Sequence, residues 1–111
     1  MYSTQGLEKT KVLHSTVAGV NAPAVITLDA AEQETHVLFQ IQASFSAVPT
    51  APALLQVTID SVVVFEAYLS EAGIEEVVFY RPLYGYDNQK MEITLAAGGV
   101  GVTGTLNIQY G

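Results

Sequence analysis

Side chains that could carry out catalytic chemistry are few in this sequence of 111 residues. Its two histidines, His14 and His36, have no neighbouring acid in the arrangement of a nucleophile-base-acid triad. None of the serines lies in a Gly-x-Ser-x-Gly motif, which marks the nucleophile of many hydrolases. Glu75 and Glu76 are adjacent, so a β-strand would point them to opposite faces and they could not act together on one substrate. We therefore expect that the protein is not an enzyme.

Metal and phosphate sites are not expected either. The chain has no cysteine, and His14 and His36 do not form the His-x-His pair that supplies two metal ligands from one strand face. The glycine-rich stretch Gly98–Gly101 lacks the Lys-Ser/Thr pair of a phosphate-binding loop, and a strand pattern rather than a helix pattern follows it. Such glycines are typical of a connection that needs positive φ angles. The sequence therefore indicates no metal and no cofactor.

The stretch Tyr80–Asn88 is the best candidate for a recognition surface. It contains Arg81, the only arginine of the chain, together with Tyr84 and Tyr86. Tyrosine and arginine are enriched at the energetic centres of protein interfaces. The same tyrosines could instead stack on sugar rings or cap one end of the hydrophobic core. We predict a partner-binding role for Arg81, Tyr84 and Tyr86, with these alternatives open.

The charge balance excludes some partners. The chain has eleven Asp and Glu residues and only four Lys and Arg residues, which gives a formal net charge of −7 at pH 7. Nucleic-acid binding depends on clustered Lys and Arg, so nucleic acid is not expected as a partner. No window approaches the ~20 apolar residues of a membrane helix or contains a signal-peptide core, so we expect no membrane partner and no cleaved leader. Only 14% of the residues are charged, which indicates that a partner covers part of the surface.

Alternating apolar and polar side chains predict β-strands from residue 11 onward. The longest alternating run is Glu34–Ser46, which we expect to be a central strand with one wet side. Its predicted core face is Val37, Phe39, Ile41, Ala43 and Phe45, and its predicted polar face is His36, Gln40, Gln42, Ser44 and Ser46. Leu54–Asp60 and Val62–Leu69 are predicted to form a hairpin around Asp60-Ser61. On its apolar face we expect Leu55, Val57 and Ile59 opposite Val63, Phe65 and Ala67.

The following strand, Ile74–Tyr80, is predicted to stop at Arg81-Pro82, because proline cannot donate to a sheet ladder. Leu83–Asn88 is then predicted as a loop. Two further alternating runs flank the glycine-rich stretch near the C-terminus, and we predict that they pair as a β-hairpin. The side chains expected on its core face are Met91, Ile93, Leu95, Leu106, Ile108 and Tyr110, and those on its polar face are Lys90, Glu92, Thr94, Thr105, Asn107 and Gln109.

These patterns predict an all-β protein of about eight strands. We expect an antiparallel, jelly-roll-like β-sandwich, with a full jelly roll and a simpler Greek key both compatible with the strand count. Residues 11–111 are predicted to form a single domain. Residues 1–10 have no periodicity and are predicted to form an N-terminal arm that becomes ordered on binding.

Several stretches together resemble a known group of viral proteins. They are Pro23–Leu28, the alternating Glu34–Ser46 run with the proline-containing segment after it, the Val57–Phe65 hairpin, and the closing Ile93–Ile108 pattern. In hydrophobic alternation and turns they are similar to small β-sandwich proteins encoded among the head genes of tailed bacteriophages. Asp60-Ser61 departs from the glycine-containing turn expected in that group.

The resemblance implies a capsid decoration, or cement, protein on the outer surface of a virion. Such a protein would bind the major capsid protein, bridge neighbouring capsomers and associate with itself, as a trimer in preference to a dimer. The N-terminal arm would then contact the shell, with Lys9 and Lys11 as its charged anchors. The alternative is a carbohydrate-binding or receptor-binding sandwich of a head fibre or tail, in which Tyr84 and Tyr86 stack on sugars.

Overall fold

The part of the chain that the structure describes forms eight β-strands in two sheets. The structure, a computed structural model, describes residues 12–33, 35–86 and 88–111. Its strands are β1 (Val12–Val20), β2 (Ala24–Leu28), β3 (His36–Phe45), β4 (Ala53–Ile59), β5 (Val62–Leu69), β6 (Gly73–Gly85), β7 (Met91–Leu95) and β8 (Thr103–Tyr110). Among the described residues, no helix is long and apolar enough to cross a membrane.

The strands follow the jelly-roll arrangement. Sheet A has the order β1-β8-β3-β6 and sheet B the order β2-β7-β4-β5. The pairs β1–β8, β2–β7, β3–β6 and β4–β5 are all antiparallel, as if one long hairpin had been wrapped around a barrel axis. The predicted all-β antiparallel sandwich is therefore confirmed, and of the two topologies left open the chain adopts the full jelly roll.

The core lies between the two sheets and is formed mainly by inward-facing residues of β2, β3, β4, β7 and β8. Buried and partly exposed side chains alternate throughout β7, and in β4 and β8 they alternate up to the last residue of the strand. Both sheets thus bury one face and leave the other face to solvent. The largest fully buried side chains are Ile26, Leu38, Ile41, Leu55, Val57, Met91, Ile93, Leu95, Leu106 and Ile108.

The predicted C-terminal hairpin is wrong in its pairing. Strand β7 belongs to sheet B, where it pairs with β2 and β4, and β8 belongs to sheet A, where it pairs with β1 and β3. The glycine-rich connection 96–102 therefore crosses from one sheet to the other. Within each run, the predicted core-facing residues do face the core. Alternation fixes which face of a strand is buried, but it does not identify the neighbouring strand.

The residues predicted on the core face of β3 are buried except for Phe39, but the predicted polar face is wrong at its start. Val37, Ile41, Ala43 and Phe45 are buried, whereas His36, expected on the polar face, is only 6% exposed. The reason is a β-bulge, because Leu38 and Gln40 occupy successive pairing positions and Phe39 is the extra residue. One extra residue inverts the alternation before it, so His36 and Leu38 turn inward.

Strand β6 continues beyond its predicted end. Arg81 and Pro82 lie inside it, in an irregular stretch between the pairs Gln40–Val78 and Leu38–Leu83. Because β6 is the edge strand of sheet A, proline removes no hydrogen bond that a further strand would need. Leu83–Gly85, predicted as a loop, is therefore the last part of the strand.

The predicted hairpin between β4 and β5 is confirmed. Asp60 and Ser61 form its turn with φ angles of +49° and +68°, the combination found in type I′ turns. Leu55 pairs with Ala67 and Val57 with Phe65, as the alternation predicts. Val63, expected on the core face, is instead 47% exposed, because an irregularity between Val57 and Thr58 shifts the register.

Candidate functional site

Four amide side chains form a square on the outer face of sheet A. Gln40 on β3 pairs with Gln109 on β8, and Gln42 pairs with Asn107 on the same two strands. Directly paired residues of antiparallel strands present their side chains on the same face. We call Gln40, Gln42, Asn107 and Gln109 the amide square.

The amide square faces away from the core because its neighbours along each strand face inward. Ile41 is fully buried and Ile108 is 2% exposed. The four amides themselves are half-buried and line a shallow depression in the sheet surface. Each Asn or Gln amide offers two N–H donors and a carbonyl acceptor, so the depression presents both kinds of hydrogen-bonding group.

Glu76 on β6 orients two members of the amide square. Its Oε2 atom accepts a hydrogen bond of 2.6 Å from Gln40 Nε2 and one of 2.8 Å from Gln42 Nε2. Glu76 reaches them because it pairs with Gln42, whereas Glu75 pairs with the buried Ala43. The two adjacent carboxylates therefore lie on opposite faces, as the sequence predicts.

Two tyrosines lie further along the same outer face. Tyr84 pairs with Val37, while the preceding Leu83 pairs with the fully buried Leu38 and packs against the core. Tyr84 therefore points away from the core. Its ring stacks on that of Tyr86, with centroids 5.9 Å apart and planes 10° apart. We call Tyr84 and Tyr86 the tyrosine pair.

The tyrosine pair is held by the turn that follows β6. The backbone N–H of Tyr86 donates to Oε1 of Gln89 at 2.8 Å, and the N–H of Gln89 donates back to the Tyr86 carbonyl at 3.0 Å. The N–H of Asn88 donates to the carbonyl of Ala31 at 3.0 Å. Both rings remain accessible, because Tyr84 is 45% exposed and Tyr86 63% exposed.

The structure does not bring Arg81 into this cluster. Arg81 is exposed in the irregular part of β6, beside Tyr80, which is 96% exposed. Lys9 and Lys11 fall outside the described residues, as does the predicted arm of residues 1–10. Of the predicted site residues, Tyr84 and Tyr86 are thus the two that the structure joins.

The histidine and carboxylate geometry offers little chemistry beyond hydrogen bonding. His36 Nε2 lies 2.7 Å from the carbonyl oxygen of Asp29, so this ring links β3 to the end of β2. Within the described part of the chain, no three His, Asp or Glu side chains converge to form a group that could hold a metal ion. The arrangement on sheet A can bind a ligand through hydrogen bonds and aromatic stacking.

The amide square itself was not predicted as a site. The sequence does place Gln40, Gln42, Asn107 and Gln109 on polar strand faces, but it assigns them to two separate parts of the fold. Their convergence follows from the pairing of β3 with β8, which join residues more than sixty positions apart. The only signal in the sequence is the unusual use of amides, rather than charged residues, at the outward positions of two strands.

Comparisons with known proteins place the fold among β-sandwich modules. No protein-family model matches the chain, and no curated protein matches it. The CBM36-1 domain of a multidomain xylanase from the hindgut metagenome of Trinervitermes trinervoides has a similar structure, with a TM-score of 0.53 and 13% identity. The match covers 91% of this chain and 95% of that domain.

A second similar structure is the insecticidal delta-endotoxin Cry8Ea1 from Bacillus thuringiensis, with a TM-score of 0.50 and 15% identity. The match covers 88% of this chain but only 19% of the toxin. A carbohydrate-binding module CBM36 in complex with calcium and xylotriose gives a TM-score of 0.42, too low for a comparison of sites. At these identities the similarities establish a shared fold.

Proposed function

We propose that the protein is a non-catalytic carbohydrate-binding β-sandwich whose binding surface is the outer face of sheet A. The observation that carries this proposal is the presence of the amide square and the tyrosine pair on that one face. Val37, which pairs with Tyr84, is three residues from Gln40, a distance of about 10 Å along a strand. One oligosaccharide could therefore contact both groups.

The two groups suit the two chemical aspects of a sugar. Sugar hydroxyls both donate and accept hydrogen bonds, and the amide square offers donors and acceptors within one shallow depression. Sugar C–H groups carry a small positive charge, which favours contact with the electron-rich face of an aromatic ring. A few convergent polar groups beside an aromatic surface are typical of small-ligand sites.

The fold supports this proposal without specifying the ligand. The CBM36-1 domain of a xylanase has the same general architecture over nearly its whole length. At 13% identity no residue of that domain can be assigned to a position here. The support for the site comes from the side chains of sheet A in this chain.

The test is affinity electrophoresis in gels that contain a neutral β-glucan, xylan, mannan or α-glucan. We expect retention by at least one polymer. In the double variant Tyr84→Ala and Tyr86→Ala we expect the Kd for that polymer to rise by at least about tenfold, or ~1.4 kcal/mol. Tyr80→Ala is the matched control, because Tyr80 lies on the same strand and is almost fully exposed. Loss of retention in the control alone, or no retention of the wild-type protein, would contradict the proposal.

Capsid decoration is the second candidate function, and an uncharged, partly apolar surface at one end of the sandwich favours it. The connections 21–23, 46–52 and 96–102 meet there and contain no charged residue. This end exposes Val20 at the end of β1, Val48 and Val100, the last at 84%. Exposed apolar side chains that cluster on a surface mark protein contacts.

The experiment for this second candidate is co-sedimentation of the protein with undecorated, expanded phage shells. Saturable binding that a Val48→Lys and Val100→Lys variant loses would support decoration. A wild-type protein that stays in the supernatant at every ratio would contradict it. The wild-type result for polysaccharide retention then decides between the two candidates.

A further inference from the structure

Glu76 determines which hydrogen-bonding groups two members of the amide square, Gln40 and Gln42, present to a ligand. The Oε2 atom of Glu76 accepts hydrogen bonds from Nε2 of both Gln40 and Gln42. Both amide groups therefore point their nitrogen toward Glu76. Each amide then has its carbonyl oxygen and one N–H left for other partners. The carboxylate therefore acts on a ligand mainly through the amides that it orients.

We infer that the outer face of sheet A selects neutral, hydroxyl-rich polysaccharides over acidic ones, and that Glu76 is its positioning residue. This inference rests on the proposed carbohydrate-binding function and specifies the ligand class for the same site. It follows from two independent features of the face, its charge and its fixed donors and acceptors.

The charge of the face disfavours the binding of acidic polymers. Glu76 brings a carboxylate to the edge of the depression, and none of the residues that line the depression carries a positive charge. The chain as a whole carries a net charge of −7. A uronic-acid or sulfated chain would meet like charge both locally and at long range, which lowers affinity and association rate.

The fixed amides favour ligands with many hydroxyls. A bound ligand removes water from Gln40 and Gln42, and each of their donors and acceptors that Glu76 does not pair then needs a new partner. A hydroxyl satisfies either kind of group, since it has one donor hydrogen and two acceptor lone pairs. A carboxylate can only accept, so it would leave the outward carbonyl oxygens of Gln40 and Gln42 without a donor.

Sheet B provides an internal comparison. Its outer face also has a Gln–carboxylate contact, in which Gln56 Nε2 donates to Glu66 Oε2 at 2.8 Å. Gln56, however, pairs with Thr94 on one side and with Glu66 on the other, so no second amide lies opposite it. The outer face of sheet B thus has a Gln–carboxylate contact but no group of converging amides that could hold a ligand.

The test uses the four polymers named above, each in a neutral and a carboxymethylated form, with isothermal titration calorimetry for the polymer that is retained. We expect the wild-type protein to prefer the neutral form by about tenfold or more. Glu76→Gln replaces the carboxylate oxygen that accepts both hydrogen bonds by a neutral amide oxygen, which accepts them more weakly. It should therefore weaken neutral binding by about tenfold and reduce the preference for the neutral form. Glu75→Gln is the control, because it makes the same charge change on the opposite face of β6.

The outcomes separate the two proposals. Equal or tighter binding of carboxymethylated polymers by the wild-type protein would overturn the inferred ligand class while leaving carbohydrate binding intact. Unchanged neutral affinity in Glu76→Gln would overturn the positioning role. No binding of any polymer would overturn the proposed function itself. Urea denaturation of both variants establishes that they are folded, and a shift in the neutral-to-acidic ratio is a readout that a purely structural residue would not change.

Discussion

The connection between β7 and β8 packs tightly against the core at Gly98. A Cβ atom added at Gly98 would lie 2.5 Å from Val102 Cγ1 and 2.9 Å from Phe45 Cδ1. Both distances are shorter than carbon atoms tolerate, and both neighbours are buried. The absence of a side chain at Gly98 is therefore a packing requirement.

We expect Gly98→Ala to destabilise the protein by about 1–3 kcal/mol, the usual cost of overpacking a core. Gly19→Ala is the control, because its Cβ would meet only Ala22 Cβ at 3.9 Å, an ordinary contact. Urea unfolding midpoints compare the two variants at an unchanged m-value. Equal midpoints would show that the connection can move aside.

For single residues, the sequence predicts correctly whether a side chain faces the core or the solvent, except beside a β-bulge. Outward positions were correct for Gln40, Gln42, Asn107 and Gln109, because the alternation is regular in β3 from Gln40 onward and in β8 up to Gln109. The orientation of His36 was wrong, because Phe39 is an extra residue that no local pattern distinguishes from its neighbours. Bulges depend on the partner strand, which a local pattern does not contain.

Among the elements, the strands themselves were predictable and their partners were not. The runs that became β7 and β8 have clear alternation, and a short glycine-rich connection between two such runs favours a hairpin. In the fold they lie in different sheets, because β8 fills the space between β1 and β3. Pairing is decided by which strands bury each other's apolar faces, a property of the whole chain.

The turn between β4 and β5 gives a test at the element scale. Ser61 has a φ of +68°, a conformation that costs energy for any residue with a Cβ atom. We expect Ser61→Gly to raise the free energy of unfolding by about 0.5–1 kcal/mol, since glycine is preferred at this position of a type I′ turn.

Asp60 is left unchanged in that variant, because its Oδ1 atom accepts a 2.9 Å hydrogen bond from the backbone N–H of Lys90. Ser70→Gly is the control, since Ser70 lies in another exposed connection and has no positive φ angle. That control should be neutral or slightly destabilising. A lower melting temperature for Ser61→Gly than for Ser70→Gly would contradict the assignment of the turn.

For the whole molecule, the jelly roll places residues from the two ends of the chain side by side. Strand β1 pairs with β8, and β2 pairs with β7. Long loops must close before such pairs can form, which slows folding. We expect refolding on the order of milliseconds to seconds, measured by stopped-flow tyrosine fluorescence after dilution from urea. Refolding in microseconds would contradict the nested pairing.

The charge distribution of the whole molecule also supports one kind of partner over others. The net charge of −7 and the carboxylate beside the amide square both disfavour acidic ligands. A neutral polysaccharide avoids this repulsion. Its binding should therefore change little with salt, because screening acts on interactions between charges.

The central claim is that the outer face of sheet A binds a neutral polysaccharide, and NMR of the side-chain amides tests it most directly. A ¹⁵N-labelled sample would be titrated with an oligosaccharide of the retained polymer. The account predicts shifts of the side-chain NH₂ signals of Gln40, Gln42, Asn107 and Gln109, with the signal of Gln56 on sheet B unchanged. Shifts at Gln56 without shifts in the amide square, or no shifts at saturating ligand, would contradict it.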